Sequence, residues 1–172
     1  MEKIEIVSFD VEGTLVTTDF SASIWFEGIP RDYACKHNLP FEESQRIVFD
    51  EYAKIGDQQM EWYDINYWMH KFDLGSSDKF LAKYKDRIQL FPDVKDVLSA
   101  LSQKYKLIVA SGTTREFLAL LLEKIGPYFI EIFSSTSDFN LLISFLKSSL
   151  SLLCCPIILL VLSFSGAKIF FF

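Results

Sequence analysis

Two short β-prone runs constrain the fold of this chain most. Residues 3 to 9 (KIEIVSF) end at Asp10, and Lys106 to Ala110 (KLIVA) end at Ser111. Each run is too short for a core helix, rich in β-branched residues, and stops on a polar side chain with a glycine close behind. In parallel α/β sheets ligands bind at the carboxyl ends of the strands, so neighbouring strands would bring Asp10 and Ser111 to the place where chemistry occurs. About 95 residues separate the runs, whereas a complete βαβ unit takes roughly 30 or more. Most of the intervening stretch is therefore expected to be an inserted module.

That insert reads as helical from about residue 19 to 88. Pro40 opens FEESQRIVFDEYAKIG, in which Phe41, Ile47, Val48, Tyr52 and Ile55 form a partly helical apolar stripe ending near Gly56. QQMEWYDINYWMHKF is dense in aromatics, namely Trp62, Tyr63, Tyr67, Trp68 and Phe72. These are expected to pack the insert's own core rather than face a substrate. SSDKFLAKYKDRI opens on a cap at Ser76 or Ser77. His37 and His70 have no Cys or second His at ligand spacing and read as surface or structural residues.

After the insert, Val94, Val97, Leu98 and Leu101 fall at i, i+3, i+4 and i+7 behind Pro92, predicting a core-facing helix that feeds the second strand. Beyond Ser111 and Gly112, Thr113 and Glu116 match the S/T-x-x-E capping box. Phe117, Leu118, Leu121, Leu122 and Ile125 would then give the next helix its buried face, up to Gly126. A helix start behind Ser111 is a natural place for phosphate, because its first N–H groups lack intrahelical partners. Phe129 to Phe133 predicts a further short strand.

Charge divides the chain. It carries 17 Lys and Arg against 23 Asp and Glu, a net charge of −6. Such a balance argues against nucleic-acid binding, which needs clustered basic residues. No acid and only Lys147 and Lys168 fall in residues 140–172, and residues 148–167 are uncharged. That tail admits three readings: a buried core segment, a membrane anchor over 148–167, or a sequence foreign to the fold, produced by an altered reading frame in an AT-rich gene. The last is preferred here, because Pro156 and the serines from 148 to 165 weaken a membrane helix. Cys35 and the adjacent Cys154 and Cys155 form no disulfide or metal framework, which suits a reducing compartment. The N-terminal stretch has Glu2 and Glu5 where a signal peptide would be basic. A cytoplasmic location is expected, or a membrane-anchored one if the tail spans a bilayer.

A hydrophobic strand, the run Asp-x-acid-Gly-Thr-Leu (Asp10 to Leu15), then Leu-Phe-Pro-x-Val (Leu90 to Val94) before a helix and a strand ending in Ser111 and Gly112 form a recognisable order. It resembles the haloacid dehalogenase (HAD) superfamily, in the members that insert a helical cap between the first two motifs. The resemblance covers roughly residues 4–139. It implies an α/β fold with a Rossmann-like parallel-sheet core at 1–16 and 89–139, a small helical cap at 17–88, and a tail at 140–172 that replaces or lacks the C-terminal part of the core.

The resemblance also implies a hydrolase, most often a Mg²⁺-dependent phosphatase of a small phosphorylated metabolite. Asp10 would be the nucleophile and form an aspartyl-phosphate. Glu12 would serve as general acid and base through its side chain and as a metal ligand through its carbonyl, with Asp10 the other metal ligand. Ser111, Gly112 and Thr113 would hold phosphate oxygens, Gly13 would allow close backbone approach, and Thr14 would brace the loop.

Two departures from the pattern stand out. The position of Glu12 normally carries Asp, so the carboxyl here sits about one C–C bond further out. The family pattern also includes a later Lys and a later acidic pair, whereas beyond residue 126 the acids are Glu131 and Asp138 and the lysines Lys147 and Lys168. Asp138 falls too early for that acidic pair, and the neighbours of Lys147 do not match. The expectation is a weakly active or inactive chain, with a non-catalytic phosphate binder and a tail-anchored membrane protein as competing readings.

Overall fold

The computed structural model describes residues 4–138. In chain order the elements are strand β1 (Ile6–Phe9), helix α1 (Asp19–Ala22), a π-helix (Ser23–Gly28), α2 (Ile29–His37), α3 (Phe41–Ile55), α4 (Ile65–Lys71), α5 (Ser77–Ala82), α6 (Val94–Ser102), β2 (Lys106–Ser111), α7 (Arg115–Leu121) and β3 (Glu131–Ser134). Short 3₁₀ turns at Met60–Trp62, Lys85–Arg87 and Gly126–Tyr128 connect them. The expected tail segment, with its possible span over 148–167, lies outside the described residues. Among those residues no helix is long and apolar enough to cross a membrane.

The chain divides into two compact units. One runs to Thr17 and resumes at Leu90, and the other is Thr18–Gln89.

The first unit is an α/β layer. Its three strands stand in the order β1-β2-β3, both pairings parallel, with Phe9 opposite Val109 and Ser111 opposite Ser134. Val7 to Phe9 and Leu107 to Val109 are continuously buried, as expected for strands covered on both faces. Burial of each such Leu, Ile, Val or Phe side chain contributes about 1.5–3 kcal/mol. α6 turns Val94 and Leu98 inward, and α7 contributes Phe117, Leu118 and Leu121. Phe9 meets Phe129 edge to face at 6.0 Å.

The second unit is all helical. α3 begins after Pro40 and stops at Gly56, whose φ of +74° ends the helix without strain on a side chain. Glu42 and Glu43 lie in its first turn and Lys54 in its last, each matched to the helix dipole. Trp68 is fully buried, 4.6 Å from Tyr52 and 5.6 Å from Phe72 by ring centroids. Trp62 and Tyr67 are half-buried and Tyr63 is exposed. The α4 start is capped by Asp64, which accepts from the Asn66 N–H at 2.8 Å. Lys36 closes the other end by donating to the carbonyls of Phe72 and Asp73 and pairing with the Asp73 carboxylate. At α5 the N-cap is Ser76, but its side chain makes no capping bond; Ser77 donates to Asn66 Oδ1 instead. His37 and His70 are exposed.

Candidate active site

β1 delivers its last residue, Phe9, into a tight loop that begins with Asp10. The carbonyl of Val11 accepts from three successive N–H groups, Thr14 at 3.2 Å, Leu15 at 2.8 Å and Val16 at 3.0 Å. Gly13 closes the turn with φ at +74° and donates to Val16 at 2.8 Å. Only glycine enters that left-handed region at no steric cost. Thr14 is buried, and its backbone bond to Val11 is part of the same turn. The loop therefore holds Asp10 and Glu12 on a rigid frame.

β2 brings Ser111 beside it. Ser111 is buried, and its hydroxyl donates to Asp10 Oδ1 at 2.7 Å. Thr113 donates from its hydroxyl to Glu12 Oε2 at 3.3 Å. The two hydroxyl oxygens lie 3.2 Å apart, and the Thr113 N–H donates to the Ser111 oxygen at 3.3 Å. A hydroxyl has one proton to give. With both carboxylates ionised, the Ser111 proton goes to Asp10 and the Thr113 proton to Glu12. The result is a four-residue array in which each acid is matched to one hydroxyl, through bonds strengthened by the carboxylate charge. Gly112 is exposed, with open space where a side chain would begin.

The capping box expected at Thr113 and Glu116 does not form. The N-cap of α7 is Thr114, one residue later, and its side chain makes no capping bond; the Ser137 hydroxyl oxygen accepts from the Arg115 N–H at 3.3 Å instead. The physical reason is competition, since the Thr113 hydroxyl is already engaged by Glu12. The helix also ends at Leu121 rather than near Gly126, although Leu122 and Ile125 remain buried.

Asp138 is committed elsewhere. Its carboxylate takes Arg115 Nε at 2.9 Å and Nη2 at 2.7 Å and the Ser134 N–H at 3.0 Å. Burial pushes its pKa up, but the Arg115 and Ser134 bonds outweigh that and hold it below the usual carboxylate value. Sequence reading passed over this pair and the bond from Thr113 to Glu12. No local pattern signals either, because their partners lie 23 and 101 positions apart.

The metal-ligating chemistry available is oxygen only. Among the described residues no three His, Cys, Asp or Glu side chains gather as a metal cluster. The Asp10 carboxylate and the Glu12 carbonyl on one loop suit Mg²⁺, which takes one or two protein carboxylates and completes its shell with water and phosphate oxygens.

Residues 4–147 match the family model of the haloacid dehalogenase-like hydrolases. A curated relative, the GMP/IMP nucleotidase YrfG of Escherichia coli strain K12, is 22% identical over 142 residues. Those residues are 81% of this chain and 63% of that protein, so the chain spans under two thirds of its relative's length. Among solved structures, the HAD phosphatase from Thermococcus onnurineus aligns with a TM-score of 0.66 at 23% identity, over 80% of this chain and 64% of that one. The 2-haloacid dehalogenase from Pseudomonas syringae pv. Tomato DC3000 aligns at 0.55 and 17% identity, over 86% and 73%. These likenesses establish the fold.

Proposed function

The chain belongs to the haloacid dehalogenase-like hydrolases, and from that premise we propose that it is a Mg²⁺-dependent phosphomonoesterase acting on a small phosphorylated metabolite through an aspartyl-phosphate. The observation that carries this reading is the paired array at the strand ends, in which Ser111 holds Asp10 at 2.7 Å and Thr113 holds Glu12 at 3.3 Å.

In the first step a carboxylate oxygen of Asp10 attacks phosphorus, and the bond from phosphorus to the ester oxygen breaks. Glu12, protonated at that moment, gives its proton to the departing alkoxide. In the second step Glu12 takes a proton from water, whose oxygen attacks phosphorus, releasing phosphate and restoring Asp10. The bond from Ser111 fixes the rotation of the Asp10 carboxylate, and with phosphate bound the same hydroxyl can turn to a phosphate oxygen. Gly13, Gly112 and the Thr113 backbone border that position, and Thr14 braces the loop. Asp10 and Glu12 would hold the Mg²⁺. Bound there, it supplies positive charge that offsets repulsion between carboxylate and phosphate.

Turnover is proposed to be weak, because the Asp10 carboxylate and the Glu12 carbonyl are a sparse donor set. The substrate class follows the relative's printed activity, so GMP and IMP belong in the first panel beside simpler phosphate esters. The protein is further proposed to act in the cytoplasm and to bind no nucleic acid.

The test is phosphate release with enzyme in excess, with Mg²⁺ and with chelator, for the full chain and Asp10→Asn. Release that needs Mg²⁺ and vanishes in Asp10→Asn supports the reading. Release that persists in Asp10→Asn overturns it. Phosphate binding without any release identifies a non-catalytic binder.

A further inference from the structure

We propose that Thr113 is the positioning residue for Glu12, its hydroxyl fixing where the longer side chain presents its carboxyl to a leaving group. The proposal deepens the phosphatase reading and rests on it.

The Thr113 hydroxyl serves Glu12 rather than the helix, whose Arg115 N–H is met by Ser137 Oγ at 3.3 Å. Thr113 and Thr114 stand together at the start of α7, and either hydroxyl is of the type that caps a helix. Neither does so. Among the described residues the Thr114 hydroxyl is buried without a hydrogen-bond partner, while that of Thr113 reaches across to Glu12 Oε2 at 3.3 Å. A local rule left unmet where a compensating long-range contact exists marks a functional position.

Thr113 is itself well placed to aim. Its N–H donates to Ser111 Oγ at 3.3 Å, and its own oxygen lies 3.2 Å from that atom. Ser111 in turn holds Asp10. The general acid and the nucleophile are thus set by two hydroxyls that touch each other. Glutamate has one more rotatable bond than aspartate, so its carboxyl sweeps a wider volume. A donor on one oxygen confines it, and a misplacement of about 1 Å can cost on the order of 100-fold in rate.

The experiment compares Thr113→Val, which keeps shape and removes the donor, with Thr113→Ser, which keeps the donor. Each is assayed in the full chain with Mg²⁺ and enzyme in excess. One substrate is p-nitrophenyl phosphate, whose leaving group departs without a proton; the other is IMP, whose alkoxide needs one. Thr113→Val is expected to slow both, and IMP by roughly tenfold more, within what general-acid catalysis supplies. Thr113→Ser is expected to recover most of that difference. In parallel, NMR reads the two Cγ protons of Glu12, expected to be resolved in the wild type and Thr113→Ser and averaged in Thr113→Val. Equal slowing of both substrates, or a Glu12 signal unchanged in Thr113→Val, overturns the proposal. If the wild type shows no release that depends on Asp10 but Glu12 still loosens in Thr113→Val, the phosphatase reading fails while the hold of Thr113 on Glu12 stands.

Discussion

Ser111 Oγ stands 2.7 Å from Asp10 Oδ1, although 101 positions of chain separate the two residues. The parallel pairing of β1 with β2 puts both strand ends at one edge of the sheet. The bond joins the second strand's terminal hydroxyl to the acid that follows the first strand. Ser111→Ala removes it together with the donor proposed for a bound phosphate. We expect kcat/KM to fall by about 100-fold, the scale of losing one preorganised donor. The fall should be the same for aryl and alkyl phosphates, since neither role involves the leaving group. Steady-state assays on both substrates check it.

Glu12→Gln keeps the side-chain length and an oxygen able to accept from Thr113, but it carries no transferable proton. On IMP the rate should fall by about 10²–10⁴-fold, and on p-nitrophenyl phosphate far less. Matching losses on the two substrates would falsify the general-acid role.

Glu51 gives the helical unit a pH dependence of known sign. Hydrogen bonds from Lys54 and then Lys71, the latter at 2.8 Å, hold its pKa at about 2, below the ordinary 4.5. A depressed carboxylate stabilises the fold in full above pH 4.5 and loses that contribution as the pH falls toward 2. The pair is solvent-screened, so the contribution is about 0.5–1 kcal/mol. Glu51→Gln should therefore lower Tm by a few degrees at pH 7 and by nothing near pH 2, as read by thermal unfolding across that range.

Gly28 closes the π-helix where there is no room for a side chain. A Cβ there would lie 2.8 Å from the Tyr84 ring and 2.9 Å from that of Phe80. Gly28→Ala must displace two aromatic rings, and we expect a loss of about 1–3 kcal/mol, the usual cost of overpacking. Denaturant titration of the variant measures it.

Trp68→Ala empties the centre of the aromatic cluster, where the side chain is fully buried. About 3–5 kcal/mol should be lost. The helical signal of the insert should melt earlier, as circular dichroism would record.

The strand ends and helix limits were legible where one residue type controls the backbone. Pro40 and Gly56 bound α3 where the sequence placed them, and the apolar runs ending at Asp10 and Ser111 are β1 and β2. The capping box at Thr113 failed because a pattern four residues long carries no information about Glu12, 101 positions away. Apolar periodicity ran past Leu121 because burial continues through Leu122 and Ile125 after the helix has unwound. The π-helix at Ser23–Gly28 has the same composition as an ordinary helix, and the spacing of its residues does not distinguish the two.

Val16 and Leu90 form an antiparallel bridge, and the Phe91 N–H donates to the Leu15 carbonyl at 3.1 Å. This clasp joins the chain just before and just after the helical insert. Once it forms, the stretch that must be closed to pair β1 with β2 is a small fraction of the linear separation. Loop closure costs only about 0.6 kcal/mol per doubling of length. The insert could therefore be lengthened, shortened or exchanged at little cost to the pairing of Asp10 with Ser111. The clasp makes the helical unit a replaceable cassette, free to change by recombination while the two acids and two hydroxyls keep their places.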